Sequence, residues 1–74
     1  MTLNDAFEKA TIKDRRLTVY SDFENRKIAI AGYWYEDHVL DYREKHMIDP
    51  VELIGESMTS VTVALKEGKP WSHG

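Results

Sequence analysis

Two histidines interleaved with carboxylates are the first residues of this chain to test for chemistry: Asp37, His38, Asp41, Glu44 and His46 fall within ten positions. Imidazole beside carboxylate suits zinc or another transition metal. Their spacing matches neither the paired-histidine helical zinc motif nor a calcium-binding loop, so they read as solvated polar residues on a strand or turn. No metal is expected, and the chain has no cysteine to supply thiolates or disulfides. General acid–base work needs a titratable group held in a cleft with a shifted pKa, whereas the carboxylates here are spread along polar stretches. Gly32, Gly55, Gly68 and Gly74 are isolated and form no phosphate-cradling loop. Ser21, Ser57, Ser60 and Ser72 stand in no nucleophile motif. The expectation is a protein that is not an enzyme and carries no cofactor.

Aromatic side chains are the other candidates, and their chemistry is contact rather than catalysis. Lys27-Ile28-Ala29-Ile30-Ala31-Gly32-Tyr33-Trp34-Tyr35 is apolar at successive positions and ends in three rings. A strand puts alternate side chains on opposite sides, so Ile28, Ile30 and Trp34 share one face and Ala29, Ala31, Tyr33 and Tyr35 the other. Leu17, Val19, Ile28, Ile30 and Trp34 are assigned to the core. Tyr20, Tyr33 and Tyr35 then lie opposite, where either the N-terminal helix covers them or a partner does. Tyrosine offers large, fairly rigid contact area with a polar handle. Glu24, Arg26, Glu36 and Asp37, at the loop ends, are expected to form a charged rim that orients the partner. Glu52 and Glu56 are a second acidic edge that could mimic phosphate spacing, though a solvated helix face is the plainer reading.

The elements that must position these residues are read from capping and periodicity. Thr2 or Asn4 caps a helix to about Ala10, with Leu3, Phe7 and Ala10 on one stripe. Arg16 to Tyr20 alternates as a strand, and Ser21 to Arg26 supplies the turn into the aromatic segment, giving an antiparallel hairpin. Val39 to Arg43 is preferred as a third strand over a helix reaching His46, because two strands alone are marginal. Asp49 and Pro50 carry the signature of an N-cap and first helical position, and Val51, Ile54, Met58, Val61 and Leu65 recur at helical spacing, so a helix is expected from Pro50 to Glu67. Gly55 and the β-branched run Thr59 to Val63 lower its propensity, and a break there is the second choice. Gly68 is the natural end. The expected fold is α+β: a short N-terminal helix, a three-stranded antiparallel meander and a C-terminal helix on one sheet face. Residues 1–68 form its single domain and 69–74 a tail containing Trp71.

That order of helix, three strands and helix resembles double-stranded RNA-binding domains across most of the chain. Those domains open their last helix with lysines, whereas this chain has Asp49-Pro50-Val51-Glu52. Ile54 to Val61 also looks loosely like the turn and second helix of a helix-turn-helix, with Gly55 in the turn; its outward residues, Ser60, Thr62 and Lys66, make no bidentate base contacts. Ten basic against thirteen acidic residues give a net charge of −3, the wrong sign for a protein living on phosphate contacts, although Lys13, Arg15 and Arg16 form a local basic cluster. No apolar run approaches the length of a membrane span. These readings point to a small cytoplasmic accessory or regulatory protein, of the inhibitor type that phages encode, which binds a protein partner or a second copy of itself. A small DNA-binding transcriptional regulator is the alternative.

Overall fold

The computed structural model describes residues 1–66, in the order α1 (Leu3–Ile12), β1 (Arg16–Asp22), β2 (Lys27–Tyr33), α2 (Asp37–His46), β3 (Val51–Glu56) and β4 (Ser60–Leu65). The four strands form one mixed sheet in the order β2-β1-β4-β3, in which β1 and β4 are parallel and both outer pairs antiparallel. The fold is therefore α+β, but the three-stranded meander and the C-terminal helix expected from the sequence are not present. Trp71 and the expected helix end at Gly68 lie outside the described residues.

Helix α1 forms where its apolar stripe foretold. Thr2 and Asp5 make a reciprocal capping box, the Thr2 amide donating to the Asp5 carboxylate at 3.0 Å and the Asp5 amide to the Thr2 hydroxyl at 3.4 Å. Leu3, Ala6, Phe7 and Ala10 are buried against the sheet. The β1–β2 hairpin also forms, its turn tied by the Asp22 carboxylate, which accepts from the Asn25 backbone and side-chain amides.

Residues 37–46, expected as a strand, are the helix α2. Val39, Leu40, Asp41, Tyr42 and Arg43 do not alternate, whereas Val39 and Tyr42 fall at helical spacing and face inward. Asp37 in the first turn and Arg43, Lys45 and His46 in the last complement the helix dipole, and Asp41 pairs with Lys45 at 3.2 Å one turn on.

Residues 51–65, expected as a helix, are the β3–β4 hairpin. The i, i+3, i+4 recurrence of Val51 to Leu65 coincided with a period of two: Val61 and Val63 are buried, Ser60 and Thr62 are half-exposed on the opposite side. The β-branched run weighs toward the pleated state. The loop is held by Ser57, whose hydroxyl accepts from the Thr59 and Ser60 amides at 3.2 and 3.1 Å, the local competition with helix that makes serine a turn former. Asp49 caps no helix: its carbonyl accepts from the Leu3 amide at 2.8 Å and its carboxylate meets His46 Nδ1 at 2.9 Å. Pro50, with no N–H to lose, stands at the entry to an edge strand.

The core is a single layer between the sheet and both helices, comprising Leu3, Ala6, Phe7 and Ala10 of α1, Val39 of α2, and Leu17, Val19, Val51, Val61 and Val63 of the sheet. Ile30 and Trp34 pack against it as expected, but Ile28 does not. A bulge between Val19 and Tyr20 sets Ile30 opposite Val19 and Ile28 opposite Tyr20, which turns Ile28 to the other face, 55% exposed.

Candidate functional site

Both helices lie on one side, so the opposite side of the sheet is covered by no element among the described residues. Register defines its rows. Tyr33, Arg16 and Ser60 cross one end, Ala31, Thr18, Thr62 and Gly55 the middle, and Ile28, Tyr20, Ala64 and Glu52 the other end. The middle row is small, and nothing lies within 4 Å of where a Gly55 Cβ would stand. The open face is thus a shallow saddle between two bulky ends.

Of the expected contact residues, Tyr20 and Tyr33 are on this face and Tyr35 lies just beyond β2, its ring stacked on Tyr33 at 5.6 Å. They do not make one patch. Tyr20 is in the Ile28 row, roughly 13 Å along the strand from Tyr33's row, and its ring is edge-on to Phe23 at 5.2 Å. Glu24 and Arg26 sit in the β1–β2 turn at Tyr20's end, with the Arg26 guanidinium over the Phe23 ring at 5.1 Å. Glu36 and Asp37 belong to the other end and form no free rim. The Tyr33 amide donates to Glu36 Oε2 at 2.6 Å, and His38 Nε2 donates to the Ala31 carbonyl at 2.8 Å. These two side chains bond the outer edge of β2 at its Tyr33 end. Asp37 is exposed in the first turn of α2, where its charge favours the helix.

Sequence reasoning missed a groove beside Tyr20. It encloses about 480 Å³ and is lined by Asp22, Phe23 and Glu24 of the first hairpin, Glu52 and Ile54 of β3, and Ala64, Leu65 and Lys66 at the end of β4. Asn25 hydrogen bonds hold the Asp22 carboxyl below the usual carboxylate range. The signal lay in the alternation of Glu52 and Ile54, which was masked by the helical reading of that segment. Glu52 and Glu56 do not share an edge. The bulge between Leu53 and Gly55 leaves Glu52 on the open face and aligns Glu56 with Val61, toward α1.

There Glu56 meets Arg15 at 2.9 Å and Lys9 at 3.9 Å, and the Arg15 hydrogen bond holds its carboxyl below the usual range. Arg15 is 5% exposed and also donates to the Ser57 and Lys9 carbonyls, each at 2.9 Å. It is a tie between α1 and the β3–β4 loop, not part of a basic patch. Arg16 alone of that pair is exposed on the open face. His38 and His46 stand near opposite ends of α2 with different partners, and among the described residues no group of three His, Asp or Glu side chains converges on a metal position. The segment 54–61 spans the β3–β4 hairpin and offers no reading helix. No helix among the described residues is long and apolar enough to cross a membrane. No protein-family model, curated protein or solved structure matches this chain.

Proposed function

We propose that this chain is a non-catalytic protein-binding module, an accessory or regulatory protein that works through the open face of its sheet. One observation carries the reading. Tyr33, Ile28 and Ile54 are each more than a third exposed on a face that no described element covers, while the other face has two helices on it. Apolar side chains left at both ends of an uncovered face give a partner surface to desolvate, and tyrosine is among the residues that carry most binding energy when a partner desolvates it. Self-association through the same face satisfies the same surface without an outside target.

The test compares the two faces. Tyr33→Ala and Ile28→Glu are expected to abolish co-purification of the partner, or the dimer mass of the free protein in sedimentation, while Leu40→Glu on α2 preserves both. Thermal unfolding of Tyr33→Ala is expected to stay within about 1 kcal/mol of the parent, as for an exposed side chain. Partner binding that survives both open-face substitutions and is lost with Leu40→Glu would place the interface on the helical side and end this reading.

A further inference from the structure

The two edges of the sheet are treated differently. On β2 the Tyr33 amide and the Ala31 carbonyl are taken up by Glu36 and His38. On β3 the described residues cover only the start: the Val51 amide donates to the Met1 carbonyl at 2.8 Å, and Thr2 bridges Pro50 in antiparallel sense. Backbone groups alternate in direction along a strand. The Val51 amide points outward, so the Leu53 amide and carbonyl do too, and no described strand pairs with them. Free edge and groove adjoin, since Glu52 and Ile54 of β3 form one wall of the groove.

The groove's lining has a definite chemistry. Among the described residues, Phe23, Ile54, Ala64 and Leu65 are apolar, and three carboxylates, Asp22, Glu24 and Glu52, line the groove with them against the one ammonium of Lys66. Its volume lies within the range of about 300–1,000 Å³ found for ligand pockets. An apolar floor with an anionic rim fits a side chain that is aliphatic along its stem and cationic at its head. Phe23 already takes one guanidinium, that of Arg26, on its ring.

Resting on the open-face reading, we propose that the partner contributes an extended segment that adds to the Leu53–Glu56 edge of β3 and lays an arginine or lysine side chain into the Asp22–Phe23–Glu24–Glu52–Ile54 groove. Strand addition supplies the backbone bonds and the groove supplies side-chain selection. The Ala31–Tyr33 end of β2's edge does not compete, because Glu36 and His38 bond its outward amide and carbonyl.

The experiment is an amide chemical-shift titration of the full chain with blocked five-residue peptides of alternating threonine and valine, bearing arginine, citrulline or glutamate at the centre. The arginine peptide is expected to shift Glu24, Leu53, Ile54 and Leu65 and to bind about tenfold tighter than the citrulline peptide. Its affinity should fall with added salt, and the exposed Glu24→Gln and Glu52→Gln changes together should remove the preference without altering the melting temperature. Equal binding of all three peptides, or no shift with any, overturns the proposal. So do groove resonances that move with protein concentration alone, which would identify a second copy as occupant, or with Trp71→Ala alone, which would identify the chain's own residues 67–74. Shifts confined to Arg16 and Tyr33 would overturn the groove assignment while leaving the open-face reading standing.

Discussion

Gly32 shows how much of this fold depends on the absence of one atom. Its φ is +152°, and a Cβ there would stand 2.8 Å from Glu36 Oε2, 2.9 Å from Val39 Cγ2 and 3.0 Å from His38 Nε2. Two of these atoms belong to the side chains that satisfy β2's edge, and the third to the one fully buried side chain of α2. Gly32→Ala therefore forces α2 off the sheet as well as straining the backbone, and should cost about 2–4 kcal/mol in denaturant unfolding. A loss below about 0.5 kcal/mol would show that α2 is not pressed onto this strand. Arg15 is the opposite case, a long side chain whose three partners on α1, β3 and the β3–β4 loop make it structural despite its place in a basic run. Its sequence neighbours suggested phosphate contact because burial is not visible in a run of Lys13, Asp14, Arg15 and Arg16. Only tertiary packing separates Arg15 from Arg16.

Among the elements, the edge strands decide how the protein meets other chains. An uncovered edge is a template for unwanted pairing, and side chains that bond its free groups are one way to blunt it. The double substitution Glu36→Ala with His38→Ala releases the Tyr33 amide and the Ala31 carbonyl on β2. Sedimentation velocity is expected to show concentration-dependent association of that variant, with stability lowered by about 1–2 kcal/mol for the two lost bonds. If it sediments as the parent does across the accessible concentration range, the two contacts do not guard the edge. Among the described residues β3 carries no such side-chain guard beyond Val51, only a bulge, and that contrast is what the strand-addition proposal draws on.

For the molecule as a whole, acid stability follows from three carboxylates held below their ordinary range. Glu56 is lowered chiefly by the Arg15 hydrogen bond, Asp5 by the Thr2 backbone amide within the capping box, and Asp22 by the Asn25 side chain in the first turn. A carboxyl whose pKa is depressed on folding contributes stability that is complete above the unfolded value and is lost as pH falls through the folded one. The melting temperature should accordingly be level from neutrality to about pH 5 and decline below about pH 4. Glu56→Gln should lower the neutral plateau and make the acid decline shallower, because its own proton uptake no longer contributes. An acid limb of unchanged slope in that variant would detach Glu56 from the effect.

How much of this was legible in the residues varies with the range of the forces involved. Helix α1 with its Leu3–Phe7–Ala10 stripe and the β1–β2 hairpin rest on neighbours a few positions apart, and the sequence by itself determined them, whereas the exposure of Tyr33 and Tyr35 waited on which face of the sheet the helices took. Residues 51–65 satisfied a helical and a strand period together, and what chose between them was β1. Pairing in parallel with Arg16 to Tyr20, about forty residues away, gives Ser60 to Ala64 a ladder and a core that a lone helix would not have. Residues 37–46 are a helix on more local grounds, the inward spacing of Val39 and Tyr42 and the Asp41–Lys45 pair, which the preference for a third strand had outweighed. The groove came last of all. It exists only where the first hairpin's turn and β3 stand on either side of the end of β4, an adjacency set by strand order and not by any local pattern of residues.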